Sequence, residues 1–129
     1  MADDIVWLAP PVIDAVHDQL LAAHGGSTGL RDESLLESAL ARPQHLAAYG
    51  KPDLCDLAAA YAGGIARNHP FTDGNKRTAF MAAYIFLARN GLTLSASEVE
   101  ATQAMVALAA GDLEAAAFAA WLRENAKRV

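Results

Sequence analysis

The chain has 129 residues, 53% of them hydrophobic in type, one cysteine and a formal net charge of −5. That length suits one domain (1–129) with a modest core, and the acidic balance argues against a nucleic-acid partner, which would need a basic face. The lone Cys55 excludes an internal disulfide and agrees with a reducing cytosol. The longest nearly apolar run, Ala79 to Ala88, is too short to span a bilayer and reads as a buried helix, so no membrane role is expected. The start, Met1-Ala2-Asp3-Asp4, lacks the basic-then-apolar order of a signal peptide, which makes the cytoplasm the expected location. Abundant alanine points to an all-α bundle with close packing.

In chain order, Ile5 to Leu8 reads as a short extended segment ended by Pro10-Pro11. Helical spacing then runs from Pro11 to His24, with Val12, Ile13, Val16, Leu20 and Leu21 on one face and Gly25-Gly26 as the stop. His17 and His24 lie near Asp14 and Asp18, and they read as solvated polar residues rather than as a metal site. Ser27 to Arg31 is a loop. Asp32 is placed to cap a short helix, Glu33 to Ala41, and Arg31 and Asp32 form either a structural ion pair or part of a site. Pro43 to Pro52 reads as irregular. Asp53 caps the next helix, which ends near Arg67 with Ala58, Ala59, Ala62, Ile65 and Ala66 on a small-residue face. Gly63-Gly64 inside that helix costs about 1 kcal/mol per glycine relative to alanine, which suggests the close approach of another backbone. Cys55 lies at the far end of this helix from His69, too distant at about 1.5 Å of rise per residue for a Cys–His pair.

The most informative stretch is His69-Pro70-Phe71-Thr72-Asp73-Gly74-Asn75-Lys76-Arg77-Thr78. Pro70 breaks the helix, and the next one starts near Gly74 or Asn75. Its first free N–H groups and positive dipole end face back into the loop, which is an anion-binding arrangement, for phosphate above all. Lys76 and Arg77 in the first turn work against the helix's own dipole, and they make sense if an anion sits there. His69 is a candidate general base, and Asp73 is a hard oxygen ligand suited to magnesium on phosphates. Phe71 reads as a core plug without chemistry. The helix from about 74 to 89 is apolar nearly all round, as a central helix would be, and Asn90-Gly91 ends it. Leu92-Thr93-Leu94 is a connector. Ser95 or Ser97 caps a helix to about Ala110 with Val99, Met105, Val106 and Leu108 inward, and Asp112 caps a last helix to about Asn125. Trp121 reads as a core anchor, and the tail Lys127-Arg128-Val129 is expected to fray.

The stretch from His69 to Arg77 resembles the signature of the Fic/Doc family, and specifically its Doc (death-on-curing) branch. Family members that transfer AMP carry His-Pro-Phe-x-Asp/Glu-Gly-Asn-Gly-Arg and a further arginine three residues on. Here Lys76 stands at the second glycine and Phe80 at the further arginine, whereas Doc-type toxins carry Asn-Lys-Arg. The earlier loop is similar too, at Gly25, Gly26, Gly29, Arg31, Asp32, Ala41, Arg42 and Pro43.

The resemblance implies a compact bundle of about six helices around the helix at 74–89, with a flap near 43–52 that aligns the target's chain. It implies ATP as phosphate donor and magnesium as cofactor. His69 would take the proton of a serine or threonine hydroxyl, Asp73 would hold the metal, and Gly74, Asn75, Lys76 and Arg77 would bind phosphate. The implied protein is a toxin acting as a kinase on elongation factor Tu and so stopping translation. AMP transfer and a catalytically silent nucleotide- or partner-binding module remain the alternatives. No Ser/Thr-x-x-x-Glu-Gly/Asn inhibitory motif occurs, since Ser34-Leu35-Leu36-Glu37 has the wrong spacing. Restraint by a separate antitoxin, whose C-terminal segment folds into a groove, is the expectation.

Overall fold

The structure, a computed structural model, describes residues 4–129, and the acidic start at 1–3 lies outside the described residues. The order of elements is α1 (Pro10–His24), α2 (Glu33–Tyr49), α3 (Leu54–Asn68), α4 (Asn75–Arg89), β1 (Leu92–Leu94), α5 (Glu98–Ala110), α6 (Ala115–Asn125) and β2 (Ala126–Arg128). The expected all-α bundle is what forms, with a two-stranded ribbon added. Among the described residues no helix is long and apolar enough to cross a membrane.

The centre of the bundle is one helix earlier than the apolar pattern suggests. In α3, every residue from Leu57 to Ala66 is buried, and the helix packs against α2, α4, α5 and α6. Its small side chains are what let four neighbours approach. In α4, by contrast, Phe80, Met81, Tyr84 and Ile85 are only half-buried. The tightest approach is at Gly64, where a β-carbon would lie 3.0 Å from the Ala39 Cα of α2. Gly63 has no such neighbour.

α2 runs on to Tyr49 through Pro43, eight residues past the expected end at Ala41. Leu36, Ala39, Leu40 and Pro43 form its buried face, at the i, i+3, i+4, i+7 spacing of an amphipathic helix. Their burial offsets the roughly 3 kcal/mol that an interior proline costs. The flap placed at 43–52 is therefore helical for most of its length. The remainder, Gly50, Lys51 and Pro52, borders a cavity of about 570 Å³ beside Asn90, at the end of α4 remote from His69.

At that same end, β1 and β2 pair antiparallel, Leu92 with Arg128, Thr93 with Lys127 and Leu94 with Ala126. The tail expected to fray is thus a strand. α6 is capped at Glu114 rather than Asp112, whose N–H instead closes the end of α5 on the Ala107 carbonyl. Val99 and Val106, expected inward, are exposed. Trp121 is half-buried and stacks on Phe118 at a centroid distance of 5.7 Å. Arg123 of α6 ties α3 down by ion pairs to Asp53 (2.8 Å) and Asp56 (3.1 Å).

Candidate functional site

The loop between α3 and α4 begins where α3 cannot continue. His69 turns into the left-handed region, φ 49° and ψ 56°, and is the only non-glycine residue with positive φ among the described residues. Its N–H still reaches the Ile65 carbonyl, at 3.2 Å. The left-handed backbone costs energy for a residue with a β-carbon, so outside contacts must hold it. Arg31 supplies them. Its Nε donates to the His69 carbonyl at 2.7 Å and its Nη2 to the Asn68 carbonyl at 2.9 Å. A cation on the last carbonyls of α3 also suits the helix dipole. Arg31 and Asp32 thus serve separate helices. Asp32 caps α2 by accepting from Ser34 and Leu35, and those bonds, the Ser34 hydroxyl first, hold its carboxyl below its ordinary value.

An extended segment runs beside the loop. Leu30 pairs antiparallel with Phe71, the Thr72 N–H bonds Gly29, and the Pro70 carbonyl accepts from Arg31 and Asp32. The strand-like edge next to the signature is therefore 29–32, not 43–52.

Inside the loop the polar groups are largely committed. Asn75 is 7% exposed, and its side chain accepts from Phe71 N–H (3.0 Å) and donates to Phe71 C=O (2.9 Å). What Asn75 leaves for a phosphate is its backbone N–H. Phe71 is buried, as expected. Asp73 is exposed, with Oδ1 accepting from Gly74 N–H at 2.8 Å and Oδ2 from Ser27 N–H at 3.4 Å. Gly74, at φ 78°, is the N-cap of α4 and brings no side-chain cap. The first bond along α4 runs from Thr78 N–H to the Gly74 carbonyl, at 3.0 Å. The N–H groups of Asn75, Lys76 and Arg77 precede it and face the loop.

His69, Asp73, Gly74, Asn75, Lys76 and Arg77 all line one cavity of about 930 Å³. The rest of its lining mixes apolar residues, Phe80, Tyr84 and Met105 among them, with Ser97, Glu98 and Thr102. The first turn of α4 has no acidic residue, so two cations, three free N–H groups and the dipole all favour an anion there. Among the described residues no three His, Cys, Asp or Glu side chains gather as a metal cage. Asp73, an exposed carboxylate beside the cations and free N–H groups of α4, is a donor that fits magnesium, which takes one or two carboxylates and completes its shell with phosphate and water.

His45 is exposed on α2 and does not line this cavity. Cys55 is buried in the first turn of α3, and burial raises its thiol, with Asp53 adding to the shift. Thirteen residues of α3, Asp56 to Asn68, at about 1.5 Å each, stand between it and His69. Two residues that hold the loop were not singled out for it in the sequence. Arg31 had no local signal for its long-range contact. His17, read as solvated, is 3% exposed; it follows Ile13 and precedes Leu21 at intervals of four, so its place on the buried face was there to be read.

Comparison with known proteins identifies the family. The model of the Fic/DOC family matches residues 7–87. The protein kinase doc of Escherichia phage P1 is 35% identical over 117 residues, covering 90% of this chain and 92% of that protein. Toxin Doc of Mycolicibacterium smegmatis is 51% identical over 77 residues, 57% of this chain and 58% of that one. With the family model matched over more than half of the chain and a relative matched along nearly its whole length, the chain belongs to the Fic/Doc family.

Proposed function

We propose that this protein is the toxin of a toxin–antitoxin pair, acting in the cytoplasm as a kinase that moves the γ-phosphoryl group of ATP to a serine or threonine hydroxyl of a translation factor, with elongation factor Tu as the target. One observation carries the reading: His69, Asp73, Lys76 and Arg77 meet at the N-terminus of α4 on the wall of one cavity. The relatives named as a protein kinase and as a toxin support it.

The chemistry follows phosphoryl-transfer logic, in which positioning and electrostatics carry most of the catalysis. His69 takes the proton of the attacking hydroxyl. The hydroxyl oxygen bonds to the γ-phosphorus while the bond from that phosphorus to the ADP oxygen breaks, and the electron pair leaves with ADP. Lys76, Arg77 and the free N–H groups of α4 stabilise the phosphate oxygens. Asp73 would hold magnesium, which supplies charge neutralisation on the phosphates when bound. Lys76 and Phe80 line the cavity at the positions where AMP-transferring members carry glycine and arginine, and this favours the γ- over the α-phosphate. The edge at 29–32 is the place for the target's chain, and a C-terminal antitoxin segment provides restraint.

The test uses the purified protein, magnesium, elongation factor Tu and ATP labelled at either the α- or the γ-phosphate. His69→Asn is the control, because asparagine tolerates the left-handed backbone that alanine resists. γ-Label on the factor, lost in the variant, is expected. α-Label would overturn phosphoryl transfer in favour of AMP transfer. No label on the factor or on any protein of a whole lysate would overturn the enzyme reading.

A further inference from the structure

The loop is held on its inner side by a residue that the transfer reaction does not touch. His17, on α1, is 3% exposed. Its ring lies flat on that of Phe71, with centroids 3.8 Å apart and planes 11° from parallel. Its Nε2 is 2.7 Å from the backbone carbonyl oxygen of Asp73. A β-carbon at Gly74 would lie 3.7 Å from the same Nε2. His17 therefore touches the residues on both sides of Thr72 and Asp73 and bonds Asp73 itself. A carbonyl oxygen only accepts, so Nε2 must carry the hydrogen.

Packing alone does not account for a histidine here. Stacking on Phe71 would be served as well by phenylalanine, without the cost of burying an imidazole. The polar ring is explained by its one bond, to the Asp73 peptide. Nor is His17 a ligand or a base, because it is buried and does not line the cavity. Asp73's carboxylate has only a bond to its neighbour's N–H and a long one to Ser27, so its aim follows the backbone. That backbone also sets the direction of the first turn of α4.

We propose that His17 is a positioning residue: its Nε2–H fixes the Asp73 peptide, and thereby aims the Asp73 carboxylate and the free N–H groups of α4 into the cavity. The inference takes its ligand, magnesium-bound ATP, from the proposed function. The geometry of the loop is independent of that reading.

Two variants separate the ring from the donor. His17→Phe keeps the stack and removes the N–H. His17→Gln keeps an N–H donor at similar reach and removes the ring. With both shown to be folded by circular dichroism, calorimetry should find magnesium-ATP binding weakened about ten- to a hundredfold in His17→Phe, the usual loss when a supporting hydrogen bond behind a ligand is removed, and mostly restored in His17→Gln. Wild-type affinity in His17→Phe, or equal losses in both folded variants, would overturn the proposal. If the wild type binds no magnesium-ATP, the functional reading fails, and two further measurements still decide this one. Nitrogen-15 spectra should show the hydrogen of His17 on Nε2, and a bare Nε2 would overturn the assignment. Amide exchange at Gly74 and Thr78, whose N–H groups bond the Asp73 carboxylate and the Gly74 carbonyl, should quicken in His17→Phe and not in His17→Gln; unchanged exchange in both would also overturn it.

Discussion

Gly63→Ala and Gly64→Ala change adjacent residues of α3 and should move stability in opposite directions. Either substitution gains about 0.4–1 kcal/mol, from helix propensity and a less flexible unfolded chain. At Gly63 the new β-carbon meets nothing within 4 Å, so the gain should survive. At Gly64 it would lie 3.0 Å from Ala39 Cα, 3.1 Å from Ala39 Cβ and 3.2 Å from the Ala39 carbonyl oxygen. Two of those atoms are backbone of α2 and cannot swing aside. Overpacking of this kind costs about 1–3 kcal/mol, which leaves a net loss of about 0.5–2 kcal/mol. An unfolding entropy of about 2.1 cal/mol/K per residue makes 1 kcal/mol worth about 4 °C for a chain this size. Gly63→Ala should therefore raise Tm by about 2–4 °C and Gly64→Ala should lower it by about 2–8 °C, read by circular dichroism on heating and by urea unfolding. A Gly64→Ala protein at least as stable as the wild type would refute the reasoning, because α2 would then be free to move away from α3 at no cost.

Asn75→Ala removes both bonds to the buried Phe71 peptide, and should cost about 1–3 kcal/mol in urea unfolding. The Asp53 carboxyl is held below its ordinary value of 3.8, first by the Arg123 hydrogen bond. A depressed folded value means stability that is present above the ordinary value and lost as pH falls through the lower folded one. The pair is about half exposed and screened by solvent, so Arg123→Ala should lower the urea midpoint only slightly at neutral pH and flatten the loss of stability below pH about 4. Burial raises both the Cys55 thiol and the Tyr61 phenol above their ordinary values of 9.0 and 10.0. Their contributions are present below those values and lost as pH rises through the folded ones. Stability should fall in strong alkali, and Cys55 should react with a neutral thiol reagent only when denaturant is added.

Local chemistry in the sequence carried most of the helix assignments. Asp32 and Asp53 cap the helices they were expected to cap, and Ser97, one of the two serines expected for that role, caps α5, because a capping side chain acts within three residues. The six helices and the start of α4 beside Gly74 were legible for the same reason. Where the reading failed, a distant partner decided. Pro43 stays helical because α3 buries its face, and β1 becomes a strand only because β2 comes back to it from 32 residues or more along the chain. His17 and Arg31 belong to the candidate site through bonds that span 56 and 38 residues. The apolar pattern of α4 suggested centrality, but the small residues of α3 are what let helices close in on every side. Asn75 shows the limit most clearly: its position in the signature was plain, while its side chain serves Phe71 and not the cavity.

Both described ends of the chain are gathered at one pole. Val6 exchanges hydrogen bonds with the Asn90 side chain, and the Val129 N–H bonds the Gly91 carbonyl. Fifteen residues of α4, about 22 Å at the usual rise, separate that pole from the loop at Gly74. A surface tether or a fused reporter at either described end would therefore attach at the pole opposite the signature loop.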